Sequence, residues 1–245
     1  MVKNKQCQWL PVITTICAFV LLFSMGTWQV FRLQWKQKLI SQVQEQLHRP
    51  PLTTLPLHDA QLAGQLYREV LLTGTFSAEE FHVWMGTIIP GGKPGLDVLA
   101  PFKLEDGRWI LIDRGWVVQS KMDAGKRAIP NPGQAYTVRG IVLEGEKKPM
   151  VAVGHQIDKN TWFWVDIPAM AKHSNKIFPP YYIREIKEAD QQGEVDGYIK
   201  GDKEIRVRND HLQYAITWYL LSAAVVIIFV VYRRQQAKQS NQPKS

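Results

Sequence analysis

LQYAITWYLLSAAVVIIFVVY, residues 212–232, is a run of 21 residues without a charge, stopped abruptly by Arg233 and Arg234. A helix that crosses a hydrocarbon core needs roughly 20 predominantly apolar residues, so this stretch is long enough to span. A core helix of a soluble protein would carry a polar stripe, and here the polar members are only Gln213, Thr217 and Ser222. The other end of the chain repeats the pattern. No charge falls between Gln6 and Phe31, and the apolar stretch from Leu10 to Val30 supplies a second span. Lys3, Lys5 and the small residues Ser24 and Gly26 also fit a cleaved secretory signal, but the apolar run exceeds the roughly 7 to 15 residues of a signal core, so a retained anchor is expected. Ile16 before Cys17 is too bulky for a lipoprotein signal. The expected organisation is an N-terminal tail 1–9, a span 10–31, an extramembrane domain 32–210, a second span 211–232 and a C-terminal tail 233–245.

Charge then suggests which side of the bilayer each part occupies. The net charge of +8 is mostly a property of the tails, which hold six cations and no acid. The intervening loop holds 24 cations against 22 acids and so carries only +2. That distribution speaks for membrane orientation rather than for nucleic acid, and it places both tails in the cytoplasm. Arg32, Lys36 and Lys38 at one loop end and Lys203, Arg206 and Arg208 at the other make the local count nearly even, but a loop of this length is exported largely regardless of charge. The absence of an Arg-rich, Ser-rich amphipathic presequence favours a bacterial inner membrane, with the large domain in the periplasm. Cys7 and Cys17 both lie at or in the first span and cannot staple the domain, which at about 180 residues is large enough to be held by its own core.

Within the loop, Trp28, Arg32, Trp35, Lys36, Leu39 and Ile40 recur at helical spacing, which extends the first helix to about Leu47 before Pro50 and Pro51 end it. The stretch to Gly64 reads as irregular. Seven short apolar or alternating runs follow: Tyr67–Phe76, Phe81–Met85, Leu96–Leu104, Trp109–Val118, Tyr136–Leu143, Trp162–Ile167 and Tyr181–Ile186. Pro90-Gly91-Gly92, Glu105-Asp106-Gly107 and Pro130-Asn131-Pro132-Gly133 supply turn chemistry between them. Pro168 to Ser174 is expected to form one or two helical turns, and the polar stretch Glu188–Lys203 to be a mobile linker. The fold class is therefore a membrane protein with two transmembrane helices flanking a mostly antiparallel β-rich (α+β) extramembrane domain, barrel- or sandwich-like.

Nucleophile elbows, phosphate loops, H-E-x-x-H, C-x-x-C and dinucleotide fingerprints are all missing, so no enzyme is expected; a membrane-anchored hydrolase would need a constellation this chain does not show. What stands out is the boundary of the second span, where His211, Tyr214 or Ala215, and Trp218 share one helical face. An imidazole at headgroup level above an aromatic wall suits axial ligation of haem iron, although Tyr and Trp also form interfacial belts and a lone His can cap or snorkel. Where the first span leaves the bilayer, Gly26, Trp28, Gln29, Arg32, Trp35 and Lys36 form a matching set. Gly26 would let two helices approach closely. Arg32 and Lys36 could pair with haem propionates or with lipid phosphates.

At these residues the sequence resembles the Surfeit locus protein 1 family of cytochrome c oxidase assembly factors. The matching segments are GTWQVFRLQWKQKLI (26–40), GLDVLAPF (95–102), DRGWV (113–117), VRG (138–140), WFWVDIPAMA (162–171), PPYYI (179–183) and NDHLQYAITWY (209–219). Ala100 and Asp113 depart from the commoner family residues, but neither touches the terminal motifs. The resemblance implies a non-enzymatic role in building haem–copper oxidase, by holding or delivering haem a to subunit I, with haem a synthesis machinery as a further partner and a periplasmic domain. Under it, His211 is the haem-linked histidine and metal ligand; Tyr214, Trp218, Trp28 and Gln29 are motif positions that serve either haem contact or structure, and Arg32 stays a candidate for haem propionates or lipid phosphates. Arg114, Gly115 and Trp116 are motif positions as well, with core packing expected for Trp116. A scaffold that stabilises subunit I without touching haem is the alternative. The topology has a direct check: a reporter fused after Ser245 should be active only in a form that works in the cytoplasm, and periplasmic activity would overturn the orientation.

Overall fold

The computed structural model describes residues 9–56, 61, 63–84, 94–123, 125, 127, 133–150, 153–188, 193–194, 197–203 and 209–240. In chain order the elements are α1 (Leu10–His48), β1 (Glu69–Phe76), β2 (Phe81–Val83), β3 (Gly95–Leu104), β4 (Trp109–Val118), β5 (Ala135–Glu144), β6 (Thr161–Trp162), α2 (Ile167–Ser174), β7 (Tyr181–Glu185) and α3 (His211–Ser240). They form two compact units, Met1–Gln42 with Arg206–Ser245, and Val43–Ile205.

The first unit is a helix pair. Both helices are long and apolar enough to cross a membrane, and their apolar side chains are left bare of protein: Ile13, Leu21 and Phe31 on α1, and Leu220, Ile227 and Ile228 on α3, are all exposed. Lipid is the solvent such surfaces require, so the chain is membrane-associated. The hydroxyls of Thr14, Thr15, Thr27 and Thr217 each donate to a carbonyl one turn back on their own helix, which satisfies them without water. The two helices touch at Gly26, where an added Cβ would overlap the Tyr219 ring. Ala215 and Ser222 are buried on the same contact face of α3.

The second unit is a seven-stranded sheet in the order β1-β5-β7-β4-β3-β2-β6, and a further pairing of β1 with β3 closes five of the strands into a barrel. The β4–β7 and β2–β6 pairs are parallel, so the barrel is mixed. Alternating residues fill its interior: Val70 and Leu72 from β1, Ala100 and Phe102 from β3, Ile110 and Ile112 from β4, Val138 and Val142 from β5, and Ile183 from β7. The intervening residues of β3, β4 and β7, such as Leu99, Leu111 and Tyr182, pack outward against α2 and Trp162. A strand buried on both faces reads as a continuous apolar run rather than an alternating one, which accounts for the pattern of Trp109–Val118. Val43 and Leu47, at the end of α1, pack with Ile141 and Ile186.

Two expectations need correction. The run Trp162–Ile167 contributes only Thr161–Trp162 to the sheet, because Asp166 accepts a hydrogen bond from the Ala169 amide at 3.1 Å and starts α2 with Pro168 in its first turn. Helix-start chemistry overrides the apolar pattern there. The stretch Glu188–Lys203 is not a plain linker where described: Tyr198 is fully buried, Ile199 exchanges both backbone hydrogen bonds with Trp116, and Gly201 bridges Ile186. Its lysines meet carboxylates of the sheet, Lys200 with Glu185 and Lys203 with Glu69. Met85, the end of one expected strand, and the turns at Pro90–Gly92 and Pro130–Pro132 lie outside the described residues. At Glu105-Asp106-Gly107 the expected turn is present, with Gly107 at φ 87°.

Barrel closure gives a test. Gly74 pairs with Leu104 where β1 meets β3, and a side chain there would run into the Lys103 carbonyl and the Phe102 ring. Gly74→Val should therefore lower stability by about 1–3 kcal/mol through forced separation of the two strands. Thermal unfolding followed by tryptophan fluorescence measures it, and an unchanged midpoint would show that the closure tolerates a side chain.

Candidate functional site

The residues singled out at the two span boundaries fall on the helix pair, and the structure brings two of them into contact. Asn209 and Asp210 precede α3, and the Tyr214 amide donates to the Asp210 carbonyl, so His211 occupies the first turn. Its Nδ1 lies 2.7 Å from Oε1 of Gln29, which sits on α1 one turn beyond Gly26. This contact is held by its neighbours. Tyr219, two turns further along α3, fills the space above Gly26, shares a hydrogen bond of 3.2 Å with the Thr27 hydroxyl, and packs on Phe23 with ring centroids 5.2 Å apart.

The other expected positions are placed differently. Trp218 is half-buried, while Tyr214 and Trp28 are exposed at 54% and 56%. Arg32 is exposed, with its guanidinium 4.6 Å from the centre of the Trp35 ring. Ala215, the second option at the Tyr214 position, faces the helix contact. Tyr219 and Thr27 are the positions that residue-by-residue reading missed as contacts; Gly26 opposite a tyrosine was the available signal. Among the described residues no group of three His, Cys, Asp or Glu side chains is placed to hold a metal ion. A lone imidazole cannot hold a free ion, but it can serve a metal whose other ligands come with a macrocycle.

The barrel unit carries a second polar locus. Arg114, 1% exposed, lies between the rings of Phe76 and Tyr198 at 4.7 and 4.3 Å and donates to the Tyr198 hydroxyl at 3.1 Å. Arg127 donates to the same hydroxyl at 2.9 Å and to Glu80 at 2.7 Å. Burial pushes the Tyr198 phenol up to about 12. On the opposite face of β4, Asp113 accepts from Arg184 at 3.0 Å and from the Gly115 amide. The strand register shifts between Asp97 and Leu99, so that Asp97 opposes Trp116 while Leu99 opposes Asp113. Burial, reinforced by the Asp113 carboxylate, pushes the Asp97 carboxyl up to about 8. The sequence signal for this locus was the charged pair Asp113-Arg114 inside an otherwise apolar strand.

The model of the SURF1 family matches residues 16–223, which takes in both helix boundaries and the whole barrel. The chain belongs to the SURF1 family. A SURF1-like protein of Monosiga brevicollis is 35% identical over 234 residues, covering 90% of this chain and 87% of its own length. Surfeit locus protein 1 of Gallus gallus is 31% identical over 228 residues, with 86% and 71% covered. A SURF1-like protein of Rickettsia bellii is 24% identical over 234 residues, with 95% of each chain covered. The SURF1 family match thus joins the helix pair and the barrel in one unit of descent.

In this SURF1-family chain the half-buried carboxyl of Asp97 makes stability depend on pH. Its folded value of about 8 lies above the ordinary 3.8, so its contribution is fully present below the ordinary value and is lost as pH rises through about 8. Melting temperature should fall across that window. Asp97→Asn should flatten the slope and, at pH 8, melt several degrees higher than the wild type, on the order of 2–8 °C. Parallel pH profiles of the two proteins would sink the assignment.

Proposed function

We propose that the chain is an assembly factor for haem–copper cytochrome c oxidase that binds haem a at the His211 end of the helix pair and aids its insertion into subunit I. The observation that carries this reading is the His211–Gln29 contact: an imidazole at the start of a membrane-embedded helix, held by a side chain of the other helix at 2.7 Å. An ionisable side chain at the boundary of a span, paired across helices, is a natural candidate for a functional site. Haem a would bring ligands of its own to the iron, so a single imidazole from the chain could be enough to hold it. His211 would fill that role, with Trp218 as the half-buried aromatic wall beside it. Tyr214 and Trp28, exposed on the lipid-facing side, would lie against the apolar macrocycle. Arg32 would meet the propionates by a charge-assisted hydrogen bond. The partners are subunit I and the machinery that makes haem a, and the setting is a bacterial inner membrane with the barrel in the periplasm. No catalytic step is assigned to the chain.

The test is the absorption spectrum of the detergent-solubilised protein purified from cells that make haem a. His211→Ala leaves the 21-residue apolar run intact, so insertion and abundance should survive. Removing the axial ligand should cost at least the roughly 10-fold in affinity that losing a supporting residue costs. His211→Gly with added imidazole should recover part of the wild-type spectrum. A His211→Ala protein with wild-type spectrum and affinity would remove direct ligation and leave the haem-independent scaffold as the better account.

A further inference from the structure

We infer that Gln29 is a positioning residue that fixes His211 as its Nδ1–H tautomer, so that Nε2 is the ring nitrogen the helix pair presents to a metal. The inference deepens the haem reading and rests on it only for the identity of the ligand. A neutral imidazole carries one proton, and the hydrogen bond made by one nitrogen decides which atom bears it. With the Gln29 amide turned so that Oε1 faces the ring at 2.7 Å, the oxygen only accepts and the proton is on Nδ1. Nε2 is thereby left with its lone pair. A neutral histidine side chain in water favours the opposite arrangement, with the proton on Nε2, which is the form that cannot bind a metal through that atom.

The acceptor is itself fixed. Gln29 is half-buried and lies one turn from Gly26, whose missing side chain admits the Tyr219 ring, and the intervening Thr27 shares a hydrogen bond with the Tyr219 hydroxyl. The separation of α1 from α3 at this level is set by direct contact, and the reach from Gln29 to His211 follows from it. A ligating histidine that donates its other N–H to a carbonyl has both its tautomer and its ring orientation fixed, and removing the acceptor costs about 10–100-fold in metal affinity.

The experiment uses the full-length, ligand-free protein in detergent, labelled with nitrogen-15 histidine, in buffer alkaline enough that free imidazole is neutral. The His211 resonances are identified by their loss in His211→Ala. Wild type and Gln29→Glu, which keeps an acceptor oxygen, should show a protonated Nδ1 and an unprotonated Nε2. Gln29→Leu, of similar size but with no acceptor, should shift the population toward Nε2–H and, on titration with haemin, bind roughly 10–100-fold more weakly, whereas Gln29→Glu should retain affinity. A wild-type ring protonated on Nε2, or a Gln29→Leu protein with an unchanged tautomer, overturns the inference. If Gln29→Leu fails to fold, the wild-type and Gln29→Glu spectra decide alone. Tautomers as expected with no haemin binding by any form would leave the positioning role standing and sink the haem reading.

Discussion

Everything specific about the helix pair depends on the place where Tyr219 lies over Gly26. Between two helices in lipid there is no hydrophobic drive, because acyl chains are as apolar as leucine; association rests on close packing and on polar groups that find each other. Gly26 provides the first, since a Cβ there would occupy the position of the tyrosine ring. The Thr27 and Tyr219 hydroxyls provide the second. Once the helices are pinned at this depth, Gln29 and His211 stand opposite each other one turn and two turns nearer the extramembrane end, and the polar pair forms between side chains that would each be costly alone.

The barrel unit follows a different constraint. Its interior is filled from alternate positions of five strands, so charges on those strands must be paired. Arg114 is packed between two aromatic rings and bonded to Tyr198, Arg127 is bonded to Glu80, and Glu185 meets Lys200. Removing one member of such a set would strand the others, which makes the network a fixture of the fold. Asp97 leaves a trace in solution: desolvation beside Asp113 raises its carboxyl and ties the stability of the barrel to pH. The buried charges of the barrel thus belong to its construction.

Much of this was legible in the residues. The two spans follow from absent charge, α1 runs unbroken to His48 close to where its periodicity ends, and six of the seven β-strands both begin and end within two residues of the apolar runs that announced them. Closure of the sheet and the parallel β4–β7 pairing were not legible, because both are long-range pairings that no local pattern encodes. The packed segment around Tyr198 was hidden for a related reason. Its lysines suggest solvent, and only the sheet carboxylates that they meet show otherwise. For the site, helical spacing left Tyr214 or Ala215 open beside Trp218, and the helix contact runs through Ala215, Tyr219 and Ser222; the partner helix, not the spacing, decides which face is turned inward.

The strand order also sets a timetable for making the protein. β7, residues 181–185, is the last strand of the barrel in the chain, yet it lies between β5 and β4. Until it arrives, the β3–β4 hairpin and the β1–β5 pair can form and join through β1 and β3, but the sheet has two open edges with unpaired backbone groups. A nascent chain stalled between Glu144 and Tyr181 thus carries four of the five barrel strands and two adhesive edges. Completion comes only about 25 residues before the second apolar helix emerges, so sealing of the sheet and arrival of the second membrane segment fall close together in synthesis, and the edges must be shielded from other chains from the synthesis of β1 to that of β7.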